Sequence, residues 1–136
     1  ADDPKNMSYL TIGASTSEKN KKLIANFSNY GKAEVDLFSP GHEVYSTIPD
    51  NEYKSLSGTS MAAPVVSGVA ALIWAYHPSL TALQVKEILI SSATDLGRKK
   101  VKKPGSKDKV RFREIAANAS IVNAYAGFMM ARDTVE

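Results

Sequence analysis

Hydrophobic and polar positions alternate in the first third of the chain, which is the pattern of β-strands. The stretches 7–16 and 33–41 both carry apolar and β-branched residues followed by Gly, Pro or hydroxyl residues, so each predicts a strand. The polar segment 17–31 between them predicts a loop or a short helix. Residues 44–58 predict a β-hairpin that turns at the Pro-Asp-Asn sequence 49–51.

From Thr59 onward the apolar spacing becomes that of an α-helix. No charged residue interrupts the sequence before His77, and small residues such as Gly68 separate the large ones. The large apolar residues lie on neighbouring helix faces, at Val65, Val66, Val69, Leu72, Ile73 and Tyr76. A helix without a polar face is predicted to be buried on all sides.

A second helix is predicted to begin at Thr81. Thr81 and Gln84 have the spacing of a capping box, and Leu80 and Val85 occupy the positions of a hydrophobic staple. Its core-facing stripe is predicted at Val85, Ile88, Leu89 and Ser92. Gly97 is the predicted stop.

A last amphipathic helix is predicted at roughly 120–132. The residues expected toward the core are Ile121, Tyr125, Phe128 and Met129. Strands followed by helices, at crossover lengths, predict an α/β layered fold that contains parallel strands.

Composition and charge narrow the function classes. The 136 residues, 43% of them hydrophobic, suit one globular domain, and the absence of Cys excludes disulfides and thiolate chemistry. The net charge is only +3, but eight of the fourteen residues in 98–111 are Lys or Arg. Such a run could bind nucleic acid. Because it contains Pro104-Gly105 and no aromatic residue, it is interpreted as an exposed loop, and no nucleic-acid partner is predicted.

The longest apolar run is shorter than the ~20 residues that cross a bilayer, so no membrane span is predicted in this segment.

The position of Ser60 at the predicted start of the first helix allows two interpretations. A helix N-terminus offers N–H groups without intrahelical acceptors and a dipole that favours an anion, and a serine nucleophile needs both for its oxyanion. Pro64 lacks the N–H that would bond the Ser60 carbonyl, which loosens this first turn. Ser and Thr are also the commonest helix caps, so the second interpretation is a structural cap.

The sequence GTSMAAP, residues 58–64, resembles the nucleophile motif of the subtilisin-like serine peptidases, or subtilases. Further segments resemble the C-terminal half of that catalytic domain in the same order, namely 26–31, 35–41, 45–49, 67–73, 77–89 and 121–127. The resemblance implies a three-layer α/β fold with a mostly parallel sheet. Residues 1–136 would be its C-terminal portion, with 98–111 as a basic surface loop insertion.

The resemblance also implies a serine endopeptidase in which Ser60 forms an acyl-enzyme with a protein or peptide substrate. The N–H of Ser60 would donate to the oxyanion, and Gly58 and Thr59 would form the turn that presents it. In the family's order of Asp, His and Ser, the Asp and His motifs and the oxyanion Asn precede the matched segment, and none occurs in these 136 residues. The chain is therefore expected to need the N-terminal part of the same catalytic domain and to be inactive alone.

The histidines and acids of the chain are not expected to replace that machinery. His77 would lie about 25 Å from Ser60 by helical rise, too far for a base if the helix is straight. His42 is interpreted as a surface loop residue, and Asp36 as a polar edge or cap-bonding residue. Asp50 could not act as the acid of a catalytic triad without a partner histidine. No metal ligand or cofactor is assigned to this segment, whereas the family resemblance implies calcium as an option for a longer protein.

The family resemblance implies an extracellular, periplasmic or cell-envelope location. The alternative function is a non-catalytic, peptidase-like module that binds a peptide or a partner. Without an upstream half, the helix from Thr59 and the strand edges would expose apolar surface, so self-association is expected.

Overall fold

The structure, a computed structural model, describes residues 9–136. In chain order its strands are β1 (Ile12–Ser15), β2 (Leu37–Pro40), β3 (Val44–Ile48), β4 (Glu52–Leu56), β5 (Thr94–Asp95), β6 (Lys100–Lys102), β7 (Lys109–Arg111) and β8 (Ser120–Ile121). The helices are α1 (Thr59–Tyr76), α2 (Ala82–Ser91) and α3 (Ala124–Val135), and a 3₁₀ turn spans Phe112–Glu114.

A mainly parallel sheet organises these elements, with the strand order β1-β2-β8-β5. β1 pairs with β2 in parallel from Ile12 opposite Leu37, and β2 pairs in parallel with β8 through Phe38 and Ile121. Only β5 runs antiparallel to its neighbour. Both predicted strands are present, although the first two residues of the stretch 7–16 lie outside the described part of the chain.

The sheet separates two apolar clusters because its side chains alternate in direction. Leu37 points into a cluster shared with α1, α2 and α3, whereas its neighbour Phe38 points into a cluster with Phe112. The Phe38 and Phe112 rings meet edge to face with centroids 4.9 Å apart. Burying a side chain of this size contributes about 1.5–3 kcal/mol. Because the side chains of β2 reach both clusters, this strand lies in the middle of the three layers.

The prediction that α1 is buried on all sides is wrong for this part of the chain. Only Ala62, Val66 and Ile73 are buried, in the cluster that α1 shares with β1, β2, α2 and α3. Large apolar side chains on the other faces remain exposed, including Leu72 (44%) and Trp74 (43%). An all-apolar helix needs partners on every side, and the described residues, from the sheet, α2 and α3, cover only part of its surface.

By length and composition alone α1 could cross a membrane, a test that core helices of soluble proteins also pass.

The start of α2 is confirmed, and its predicted stop is wrong. Thr81 and Gln84 form the complete capping box, and both Leu80 and Val85 of the staple are buried. The helix ends at Ser91 instead of near Gly97. The residues in between leave the helix because Thr94–Asp95 pair with β8, a contact between distant segments.

The last helix begins later than predicted, at Ala124. The Asn123 side chain accepts a hydrogen bond from the N–H of Ala126 at 3.0 Å and so caps the helix. The preceding residues form β8 instead. Tyr125 was expected in the core, yet it is 76% exposed, and the tightest contacts of α3 come from Gly127 and Ala131.

The basic run 98–111 is a β-hairpin and not a loop. β6 and β7 pair antiparallel, with Val101 opposite Val110, and Gly105 (φ 71°) turns the chain. Val101 is fully buried in the cluster around Phe38. Val101, with the partly buried Val110, therefore packs this charged segment against the apolar cluster of the sheet.

The structure confirms the hairpin predicted at 44–58, which is formed by β3 and β4. Its strands pair from Val44 opposite Leu56 to Ile48 opposite Glu52, and Asp50 and Asn51 take positive φ in the turn. The segment 17–31 forms turns without a helix.

Candidate active site

Ser60 is the second residue of α1 and is exposed. The N-cap residue is Gly58, and no side chain caps the helix, so the interpretation of Ser60 as a structural cap is wrong. At this position the N–H of Ser60 has no acceptor within the helix. The first turn carries no acidic residue, and the positive end of the helix dipole therefore favours an anion beside Ser60.

Backbone hydrogen bonds hold the turn before Ser60 against the end of β2. The Gly58 N–H donates to the Gly41 carbonyl at 2.8 Å, and the Glu43 N–H donates to Ser57 Oγ at 2.8 Å. The Gly58 carbonyl in turn accepts from Met61 at 3.0 Å. Ser60 is thereby fixed at the carboxyl end of a parallel strand, where α/β sheets commonly place their sites.

Gly41 leaves no room for a side chain at this junction. A Cβ there would lie 2.8 Å from both the Ala14 Cβ and the Gly58 carbonyl oxygen, and 3.0 Å from the Ala62 Cβ. The close approach of β1, β2 and α1 therefore depends on glycine.

A groove of about 360 Å³ lies beside Ser60, between α1 and the β3–β4 hairpin. Its lining is mostly apolar, with Val44, Ile48, Leu56, Met61, Pro64 and Val65 among the residues. Ser60 lies at its wall, so an occupant of the groove would lie next to the hydroxyl. Such a groove suits an extended chain with apolar side chains.

The side-chain contacts of both histidines are with residues other than Ser60. His42 stacks on Phe27, with centroids 6.4 Å apart, and its Nδ1 lies 3.8 Å from a Glu43 oxygen. His77 caps the opposite end of α1 and packs its ring 5.6 Å from that of Phe128. Among the described residues, the Ser60 hydroxyl has no hydrogen-bond partner.

The candidate acids have structural positions. The Asp36 carboxylate accepts from the Thr11 N–H at 2.8 Å and so ties the starts of β1 and β2 together. Asp50 lies at the tip of the β3–β4 hairpin. Within residues 9–136, no group of three or more His, Asp or Glu side chains is arranged to hold a metal ion.

Comparison with known proteins shows which family this chain resembles. Residues 2–106 match the model of the Subtilase family. The chain belongs to this family. It is 51% identical to subtilisin DY of Bacillus licheniformis over 90 residues, which are 66% of this chain and 31% of that protein. It is 59% identical to subtilisin-like protease 2 of Plasmodium falciparum over 51 residues, 38% of this chain and 4% of that protein. The subtilase chain thus spans about a third or less of these relatives.

Solved structures resemble the subtilase chain over most of its length. The prenylagaramide maturation protease PagA has a TM-score of 0.69 and 26% identity, covering 93% of this chain and 43% of that one. Subtilase cytotoxin SubAB has a TM-score of 0.68 and 25% identity, covering 90% of this chain and 36% of that one. The predicted subtilisin-like α/β fold is confirmed.

Sequence reasoning missed two features of the candidate site around Ser60. The apolar groove depends on which face of the β3–β4 hairpin packs against α1. The spacing of residues in the sequence predicts the hairpin but not this tertiary contact. The requirement for glycine at position 41 had a visible signal, the Pro40-Gly41 pair, which was interpreted only as the end of a strand.

Proposed function

We propose that this chain is the nucleophile-bearing, C-terminal part of a serine endopeptidase. In this proposal Ser60 Oγ attacks the scissile carbonyl while its proton passes to a histidine outside this segment. That histidine returns the proton to the amine nitrogen as the C–N bond breaks, so the amine half of the substrate leaves and the acyl-enzyme remains. The N–H of Ser60 donates to the oxyanion, and Gly58 and Thr59 present the hydroxyl. Water then releases the acyl group and regenerates the serine.

The observation that carries the proposal is the exposure of Ser60 on the first turn of α1, next to an apolar groove and inside a subtilase match. An exposed hydroxyl without a structural hydrogen bond is available to a base and a substrate. The dipole of an eighteen-residue helix supports the developing negative charge at this end.

The proposal includes partners and a location. The substrate is a protein or peptide that lies along the groove. The N-terminal part of the same domain would supply the Asp, the His and a second oxyanion donor, and it would cover the exposed faces of α1. We infer an extracellular, periplasmic or cell-envelope location from the family. Calcium remains an option for the longer protein, with no ligand assigned in residues 9–136.

The test is active-site labelling with a fluorophosphonate. The full-length protein should label, Ser60→Ala should abolish labelling, and Ser55→Ala, which removes an exposed hydroxyl on β4, should retain it. The 136-residue chain alone should not label. Persistent labelling of Ser60→Ala in the full-length protein contradicts the assignment of the nucleophile.

A non-catalytic, peptide-binding module is the second candidate, because no histidine of the described residues forms a hydrogen bond with Ser60. It predicts that the full-length protein binds peptides in the groove but fails to label. Labelling of the full-length protein at Ser60 excludes it.

A further inference from the structure

A second cavity lies between the segment 17–31 and the basic hairpin β6–β7, with a volume of about 480 Å³. We call it the lysine pocket. Its lining includes Lys22, Lys102, Lys107, His42, Phe27 and Glu18. The basic hairpin, which the proposed function does not use, forms one of its walls.

The hairpin wall is held in place by its backbone. The Lys102 N–H donates to the Lys21 carbonyl at 2.7 Å, and the Gly105 N–H donates to the Asn26 carbonyl at 3.0 Å. Lys103 places its ammonium 5.3 Å from the centre of the Tyr30 ring. The backbone that carries the pocket lysines is therefore ordered before a ligand arrives, which lowers the entropic cost of binding.

The charges in the pocket are unbalanced. Lys22 lies 3.6 Å from Glu18, whose carboxylate also accepts from Asn20 at 2.9 Å. The Asn20 hydrogen bond and the Lys22 charge lower the pKa of Glu18, so this carboxylate is ionised and offsets Lys22. Within residues 9–136, no carboxylate lies within ion-pair distance of Lys102 or Lys107. Two ammonium groups therefore remain for an anionic ligand.

The lysine pocket is connected to the turn that holds Ser60. His42 lines the pocket and directly follows Gly41, whose carbonyl accepts from the Gly58 N–H at 2.8 Å. The Phe27 ring, stacked on His42, adds an apolar surface for the stem of a side chain. A polypeptide that crosses Ser60 can extend one acidic side chain toward this end of β2.

We propose that the lysine pocket binds a carboxylate side chain of the polypeptide substrate through Lys102 and Lys107, so that the protease prefers Asp or Glu near the scissile bond. This inference rests on the proposed function, since it names a substrate class for the same site. Its ligand is an acidic peptide; a nucleic acid is the competing polyanion.

The test measures binding without turnover, in the full-length protein carrying Ser60→Ala. Two dye-labelled peptides of equal length are compared by fluorescence anisotropy, one with two Glu and the other with two Gln at the same positions. The Glu peptide should bind about fivefold more tightly, as two partly exposed ion pairs would give. Lys102→Met with Lys107→Met should remove this preference. Lys100→Met with Arg111→Met, which removes equal charge from the same hairpin outside the pocket, should retain it.

Two further variants sharpen the result. Glu18→Gln releases Lys22 and should strengthen binding of the Glu peptide, whereas Lys102→Glu with Lys107→Glu should make a Lys peptide the better ligand. Equal losses in the pocket and control variants, or single-stranded DNA that binds more tightly than the Glu peptide, would overturn the proposal. Binding that follows the pocket variants in a protein that fails to label at Ser60 refutes catalysis and leaves the carboxylate site intact.

Discussion

The Gly58 N–H donates to the Gly41 carbonyl at 2.8 Å, so the residue that caps α1 is tied to the residue that follows β2. Together with the bond from the Glu43 N–H to Ser57 Oγ, it joins the end of β2 to the turn that carries Ser60. His42 of the lysine pocket and Val44 of the groove beside Ser60 both follow Gly41 closely in the chain.

Gly41→Ala is expected to slow Ser60 chemistry. The new Cβ would meet the Gly58 carbonyl and the Ala14 Cβ at 2.8 Å, and because one of these is backbone, the turn must shift. A displacement near 1 Å at a nucleophile costs about a hundredfold in rate. The rate of fluorophosphonate labelling of the full-length protein measures this effect. Wild-type labelling by Gly41→Ala would show that the junction does not position Ser60.

Gly68→Ala is the matched control on α1 and is expected to stabilise the 136-residue chain. A Cβ at Gly68 meets nothing within 4 Å, and Gly in a helix interior costs about 0.5–1 kcal/mol relative to Ala. Urea unfolding at one protein concentration should therefore show a gain of about that size. A loss of stability would mean that another surface already contacts this face of the helix.

Local signals in the sequence predicted the elements that depend on them. The capping box at Thr81 and the Pro-Asp-Asn turn at 49–51 each require only neighbouring residues, and both are present. The two-residue strands β5 and β8 exist because β8 pairs with Phe38 of β2 and β5 pairs with β8, and no local sequence pattern predicts such pairing. Ser120 was therefore assigned to a helix.

The candidate site and the lysine pocket likewise include features that the sequence predicts and features that depend on tertiary contacts. The position of Ser60 at a helix start follows from a change in apolar spacing at Thr59, which the sequence displays. The lysine pocket required knowing that Val101 is buried, because this contact turns a charged run into a wall beside the segment 17–31. The charged residues of 98–111 do not indicate where Val101 packs.

Self-association of the 136-residue chain is expected through the exposed apolar side chains of α1. Leu72 and Trp74 remain 44% and 43% exposed there, and such surface favours burial against a second copy. Sedimentation velocity should show a concentration-dependent dimer, which Leu72→Lys weakens. Tyr45→Lys, at an exposed position on the β3–β4 hairpin, is the control and should leave the dimer intact. A monomer at all concentrations contradicts the expectation.

Thr81→Ala is expected to lower stability without changing the chemistry at Ser60. Thr81 Oγ1 accepts from the Gln84 N–H at 3.2 Å, and the Thr81 N–H donates to Gln84 Oε1 at 2.8 Å, so the two residues satisfy each other's donors. Losing the cap oxygen costs about 1 kcal/mol.

Thr81→Ser keeps the oxygen and should restore most of the loss in free energy of unfolding, measured by urea titration. The cap lies beyond the C-terminal end of α1, whereas Ser60 lies at its start. Fluorophosphonate labelling of the full-length protein well below its melting temperature should therefore be the same for Thr81→Ala and the wild type. A change in labelling rate would contradict this prediction and show that α2 positions the first turn of α1. The contacts between α1 and α2 would then have to transmit the effect along the whole of α1.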